Sequence, residues 1–418
     1  MNTLLLTERV ASECRLRPVD VDFLLAEHRA HVDLVPAGRR GWYRLTPTGH
    51  VGTIVGPGCR LVIRPKMPLR NFFHLLDPIA PLPTTVDHVS AVPGAEALDF
   101  LAGRLAQLLA ERTAAGLHRA YTERAEQGPF LQGRLDLPAQ LRQGHGRKDR
   151  LACRYEDFSA DVPCNQVPKA TVELLLRSPL LGAEVRAALR RQLSAFAAVS
   201  SIALEPDSFT AAADRLTEAY RPLLDLCRLL FESLAPGPSA GSVSGPAFLL
   251  NMERVYERYV TEGLRRVFEG SEYAVAVQPL QWVSEPAASQ PDLAMRPDVV
   301  ILDGGPPSPL SSLREERDGG KGGGQPVLVV DVKWKVLAGS PVVIDDVYQV
   351  LAYGAGLGVR RAVLVYPGRR DRLWAYRLRR SPILVEVRTL RVVGSRQACR
   401  LSLQRLGHAL RPPVRHEE

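Results

Sequence analysis

The chain reads as a mixed α+β and α/β protein of several domains, with a β-rich N-terminal part, a mainly helical middle and a C-terminal α/β part. Three observations carry that reading. Short apolar runs broken by Gly and Pro fill the start, apolar residues recur at helical spacing from about residue 98 to 234, and strand-like runs alternate with helices after residue 248. At 418 residues the chain is too long for one ordinary core.

In residues 1–97, "VGTIV", "GPG" and "RLVIRP" predict a β-hairpin, with "NFFHLLD" a short helix behind it. In residues 98–234, "ALDFLAGRLAQLLAERTAAGLHRAY", "KATVELLLRSPLL" and "VRAALRRQLSAFAAV" predict helices, separated by an irregular stretch, "LQGRLDLPAQL" to "LACRYEDFSADVPCN". "APGPSAGSVSGPA", 235–247, is rich in Pro, Gly and Ser and predicts a linker. Residues 248–390 open on "FLLNMERVYERYVTEGLRRVFEG", where Met252, Val255, Tyr256, Tyr259, Val260, Leu264, Val267 and Phe268 fall on one helical stripe. "YAVAVQ", "RPDVVIL" and "VLVVDVKW" then predict strands, the last two separated by a low-complexity mobile loop, 303–326. "IDDVYQVLAYGAGLG" predicts a helix, and "RAVLVYP", "RLWAYRLRRS" and "ILVEVRTLRV" further strands. The basic segment 391–418, ending "RPPVRHEE", is expected to fray.

Hydrophobic and charged fractions of 45% and 24% are those of a folded globular protein. A net charge of +9, mostly arginine, suits an anionic partner such as nucleic acid. The six cysteines contain no CxxC pair, so neither a disulfide framework nor a zinc site is expected and a reducing cytoplasm fits. "MNTLLLTERVASE" meets acid after three leucines, too soon for a secretory leader, and no apolar run is long enough to span a bilayer. No GxxxxGK[ST] occurs, so the chain carries no P-loop.

The chemistry concentrates in "VLVVDVKWK", Val327 to Lys335. A buried apolar strand that ends in charge needs those charges paired or bound to a metal. Alternation along the strand sends Asp331 and Lys333 the same way, with Lys335 a rival one step further out. If this strand pairs antiparallel with "RPDVVIL" around the loop, Asp298 and Asp331 meet. Two close carboxylates repel unless a hard divalent cation lies between them, and Mg²⁺ is bound by one or two carboxylates and several waters. A lysine beside such a site could position a water or offset charge on a phosphorus-centred transition state. Gln349 and Tyr353, four apart, share one helix face, and Glu257 on the upstream helix could add a third carboxylate.

The order Glu257, Pro297-Asp298, Asp331-Val332-Lys333 and Gln349-x-x-x-Tyr353 resembles the PD-(D/E)xK nuclease superfamily and, more narrowly, the McrC family of nuclease subunits in McrBC modification-dependent restriction systems. "VGTIVGPGCRLVIRPKMP", "NFFHLLD", "LQGRLDL", "CRYEDFSADVPCN" and "NMERVYERYV" are similar to that family's other segments, so the resemblance covers nearly the whole chain. It implies a restriction-endonuclease-like core with a mixed sheet in 248–390 and an N-terminal partner-docking domain. It further implies Mg²⁺ (Mn²⁺ as substitute) on Asp298, Asp331, Glu257 and the Val332 carbonyl, with Lys333, Gln349 and Tyr353 completing the site. The implied partners are a McrB-like AAA+ GTPase ring, the only route by which GTP enters, and double-stranded DNA carrying 5-methylcytosine. Arg134, Asp161 and Asn165 match the family in the middle segment, where cap and turn chemistry is an equal reading. Arg64 and Lys66 are candidates to face the partner or simply exposed strand charges. Two other functions stay open at this point: a non-catalytic adaptor that activates an AAA+ partner, and a standalone repair-type nuclease.

Overall fold

The computed structural model describes residues 1–67, 69–77, 94–142, 149–212, 215–234, 246–282, 294–304, 324–337 and 342–412. The predicted linker (residues 235–245 of it), the interior of the predicted loop (305–323) and the end of the basic tail (413–418) lie outside them.

The N-terminal segment comprises β1 (Asn2–Thr7), β2 (Ser12–Arg15), α1 (Pro18–Glu27), β3 (Val32–Pro36), β4 (Trp42–Pro47), β5 (His50–Val55), β6 (Cys59–Arg64) and α2 (Leu69–Leu76). β5 and β6 are the expected hairpin, pairing antiparallel from Gly52 opposite Ile63 to Val55 opposite Arg60. β1 runs parallel to β6, so both strands end together at Thr7 and Arg64. β2, β3 and β4 make a separate antiparallel sheet.

The middle contains α3 (Gly94–Ala115), β7 (Ala120–Gly128), β8 (Arg134–Leu135), α4 (Leu137–Arg142), β9 (Leu151–Ser159), α5 (Pro163–Arg177), α6 (Ala183–Leu193), α7 (Ser208–Ala211) and α8 (Arg221–Leu234). Here the structure corrects the sequence reading. The first helix stops at Ala115, because Gly116 adopts φ +88° in the left-handed region. The tail of the expected helix and the supposedly irregular stretch then form a long antiparallel ribbon, Ala120 opposite Ser159 through Gly128 opposite Leu151. Asp161 and Asn165 hold local structure. Asp161 Oδ1 accepts from the Ser200 amide at 2.7 Å, while Asn165 Nδ2 donates to the Ala160 carbonyl at 2.7 Å and its Oδ1 accepts from Tyr220 at 2.9 Å.

The C-terminal segment comprises β10 (Ala247–Asn251), α9 (Met252–Phe268), β11 (Tyr273–Val277), β12 (Gln281–Trp282), β13 (Ala294–Met295), β14 (Val299–Asp303), β15 (Gln325–Val332), α10 (Ile344–Gly356), β16 (Arg361–Gly368), β17 (Arg372–Arg377), β18 (Leu384–Arg391) and α11 (Arg396–Leu410). "FLLN" is strand rather than helix. Asn251 caps α9, its side chain accepting from the amides of Glu253 and Arg254. A six-stranded mixed sheet runs in the order β11-β14-β15-β16-β18-β17. β14 pairs antiparallel with β15, while β15, β16 and β18 are mutually parallel. Val300, Val329, Ala362, Leu364 and Val385 pack with Val350 of α10 on one face. Val299, Ile301, Val330, Val363 and Val365 are fully buried too, so both faces are covered, as unbroken apolar runs require. The segment expected to fray is mostly α11, which buries Cys399, Leu403, Leu406 and Leu410 and packs on α9 and β18.

By compactness the chain forms two units, Met1–Pro93 with Leu249–Glu418, and Gly94–Phe248. The N-terminal and nuclease-like segments, separate in the sequence reading, thus share one unit. They are joined by a shared sheet, ordered β1-β6-β5-β10, and by the Met252 amide, which donates to the Gly49 carbonyl at 2.9 Å.

Candidate functional site

The β14–β15 register sets Val299 opposite Val330, which brings the preceding Asp298 alongside Asp331. Asp298 Oδ2 accepts a hydrogen bond from the Val332 amide at 2.7 Å, fastening the start of one strand to the end of the other. Asp331 is 1% exposed, near the end of a strand in which the five preceding residues, Pro326 to Val330, are all apolar. β15 ends at Val332, and the Lys333 amide is held by the Val365 carbonyl at 3.0 Å.

Lys333 turns as expected. Its Nζ lies 2.9 Å from Asp331 Oδ2 and donates to Gln349 Oε1 at 2.8 Å. Gln349 Nε2 donates in turn to the Tyr353 hydroxyl at 2.8 Å, so the one-face pair on α10 reaches the strand end. Lys335 points elsewhere. It donates to Asp346 Oδ1 at 2.7 Å, and Tyr366 donates to the other oxygen of that carboxylate at 2.7 Å. Of the two rival lysines, only Lys333 is seated beside Asp331.

Glu257 projects from α9, and its Oε1 accepts from Gln278 Nε2 at 2.6 Å. Gln278 was not singled out from the sequence, yet it ties the acids together, since its amide also donates to the Asp298 carbonyl at 2.9 Å. It adopts φ +45°, uncommon for a residue with a side chain and a mark of local strain at functional sites. A single glutamine closing "YAVAVQ" gives no sequence signal of this. Lys66, a candidate to face a partner, points inward instead, with Nζ 3.1 Å from the Trp334 carbonyl.

Burial and the neighbouring Asp331 and Glu257 charges push the Asp298 carboxyl up to about 7. Burial raises Asp331 as well, with Lys333 opposing the rise. Burial also raises Glu257, against the Gln278 hydrogen bond. At Lys333, burial works against the charge and the Asp331 carboxylate outweighs it, so its pKa goes up and the side chain stays an ammonium. Asp331 Oδ2 is buried, with the Lys333 ammonium 2.9 Å away. Paired hard carboxylate oxygens, buried and disfavoured when both ionise, fit Mg²⁺ bound by two carboxylates and water. Among the described residues no three His, Cys, Asp or Glu side chains converge as a closed metal cluster. Glu257 accepts from Gln278 through Oε1, and its charge still reaches Asp298 and raises it. No helix among the described residues is long and apolar enough to cross a membrane.

A solved chain from a half-complex of the tetradecameric assembly of Thermococcus gammatolerans McrB AAA+ hexamers with bound McrC shares this mixed α/β fold. The two superpose with a TM-score of 0.51 at 17% identity, over 97% of this chain and 100% of that one. The type IV methyl-directed restriction enzyme EcoKMcrBC of Escherichia coli K12 is 22% identical over 209 residues, or 49% of this chain. The match spans 60% of that relative's length, less than two thirds. The family model described as "McrBC 5-methylcytosine restriction system component" matches residues 45–309, from β4 through β14, which carries Glu257 and Asp298. With well over half of its length so matched, the chain belongs to the McrBC 5-methylcytosine restriction system component family.

Proposed function

We propose that the chain is the DNA-cutting subunit of a 5-methylcytosine-directed restriction system, hydrolysing phosphodiester bonds with Mg²⁺ and stimulating a separate McrB-like AAA+ GTPase ring. One observation carries this reading: Asp298, just before β14, and Asp331 and Lys333, at the end of β15, meet at one strand end. An acid before one antiparallel strand and D-x-K at the end of the next, with a parallel β15-α10-β16 crossover, support a PD-(D/E)xK core. Family membership supports the partner, the modified DNA and the nuclease class.

In this reading Asp298 and Asp331 hold Mg²⁺ (or Mn²⁺), with the Val332 carbonyl as an added ligand. The bound ion supplies a lowered water pKa and Lewis-acid polarisation of a phosphoryl oxygen. Lys333 orients the attacking water or offsets the negative charge that grows on the phosphoryl oxygens. Gln349 accepts from the Lys333 ammonium and so fixes its direction, and Tyr353 fixes Gln349. Glu257 adds negative potential beside the aspartates and can join them as a ligand through Oε2, since the Gln278 hydrogen bond engages Oε1. Phosphate contacts from the arginine-rich surface hold DNA without reading bases.

The test is a cleavage assay on methylated duplex DNA with this chain, the AAA+ partner, GTP and Mg²⁺, omitting each in turn. Cutting that needs all four supports the reading. Cutting without partner or GTP favours the standalone nuclease, and stimulated GTP hydrolysis with no cutting under any condition favours the adaptor.

A further inference from the structure

The stretch after Lys333 poses a mechanical problem. Residues 333–337 have no regular secondary structure, and the Lys333 amide makes the last ladder-like bond. A lysine at a frayed strand end would sample many rotamers. Here the next residue is pinned. Trp334 is 1% exposed, its Nε1 donates to Glu8 Oε1 at 2.7 Å, and its carbonyl accepts from Lys66 Nζ at 3.1 Å. The Lys66 ammonium also lies 5.1 Å from the centre of the Trp334 ring and 3.6 Å from Glu8 Oε1. Tyr256, adjacent to Glu257, packs against the Trp334 ring, tilted by 53° with ring centres 5.3 Å apart.

Glu8 follows directly on β1 and Lys66 lies two residues past β6, the parallel pair of the N-terminal sheet. Glu8 is wholly buried, an expensive place for a carboxylate unless it serves its neighbours. Lysine is scarce in this arginine-dominated chain, with six in all, yet Lys66, Lys333 and Lys335 sit on or against the "DVKWK" stretch.

We propose that Glu8 and Lys66 are positioning residues for Lys333, acting through Trp334, so that the ends of the N-terminal strands form part of the cutting centre. With Trp334 locked, residues on either side of it are forced apart, Lys333 toward Asp331 and Gln349, and Lys335 toward Asp346. The proposal rests on the nuclease reading above and deepens it.

Two measurements test it on the full-length chain. The first is single-turnover cleavage with the AAA+ partner, GTP and Mg²⁺. Displacing a reacting group by about 1 Å costs about 10²-fold, so Glu8→Leu and Trp334→Phe should lower kcat about 10–100-fold, with KM for DNA and GTPase stimulation within about twofold of wild type. Glu8→Gln, which keeps the acceptor for the indole, should hold kcat within about threefold. The second is the ¹⁵N–¹H indole spectrum, in which the Trp334 resonance should move in Glu8→Leu, remain in Glu8→Gln and broaden when Mn²⁺ binds nearby. Should Glu8→Leu fail to fold, Trp334→Phe decides, because it preserves an aromatic ring in the same space. A chain that binds Mn²⁺ and cuts, yet keeps full kcat as Trp334→Phe, overturns the clamp alone. A wild-type chain that binds no Mn²⁺ overturns the nuclease reading, and the clamp with it.

Discussion

Replacing Asp298 by Asn should make the metal-free protein more stable, although it removes a group assigned to the site. Asp298 has an ordinary pKa of 3.8 that burial and its acidic neighbours push up to about 7. A folded-state value above the unfolded one means that the native state prefers the proton. The associated stability is fully present below about pH 4 and is lost as pH rises through 7. The rise is worth about 4 kcal/mol at full strength, and solvent reaching the half-buried carboxylate reduces this to about 2–4 kcal/mol. Asn is neutral at every pH and its carbonyl oxygen can still accept from the Val332 amide, so that hydrogen bond survives. In EDTA, Asp298→Asn should melt above wild type by about 4–8 °C at pH 8, taking about 2 °C per kcal/mol, and by much less at pH 4.5. Mg²⁺ should raise the wild-type Tm at pH 8 and leave the variant unmoved. Equal melting of both proteins in EDTA at pH 8 would refute the claim that these carboxylates oppose one another.

The two lysines should separate cleanly. Lys333→Met should lower cleavage by about 10²–10⁴-fold and cost about 1–3 kcal/mol, because it leaves buried Asp331 without its ammonium, measured by cleavage rate and melting. Lys335→Met should also cost about 1–3 kcal/mol, because it strips a donor from buried Asp346, yet leave cleavage within about tenfold. In the N-terminal sheet region, burial, with His31 beside it, pushes the His28 imidazole down to about 4, and both its ring nitrogens lack partners. That depressed value gives stability present above about pH 6.5 and lost as pH falls toward 4. His28→Leu should therefore flatten the acid limb of the Tm–pH curve, by up to about 3 kcal/mol.

Much of the site was legible because its strands are buried on both faces. Unbroken "VVIL" and "VLVVDV" runs can only be central strands, and Asp331 stands out among them as an expense that needs a purpose. Helical spacing put Gln349 and Tyr353 on one face, which the structure turns to Lys333. The contributions from elsewhere were hidden. Gln278 acts through its amide and a strained φ, neither written in side-chain type. Glu8 and Lys66 lie more than two hundred residues from Trp334, and only the tertiary fold joins them. In the middle segment β7, "AYTERAEQG", is exposed along most of its length, so it lacks the apolar alternation that announces a strand. α11 was masked by its arginines, which dilute a stripe of Cys399, Leu403, Leu406 and Leu410 that is apparent only once α9 packs against it.

The assignment of Asp331 to a metal-dependent cutting centre is tested most directly by one rate: cleavage of methylated duplex DNA by Asp331→Ala, with the AAA+ partner, GTP and Mg²⁺ present. The account predicts no detectable cutting, with partner binding and GTPase stimulation intact. Cutting at the wild-type rate would contradict it.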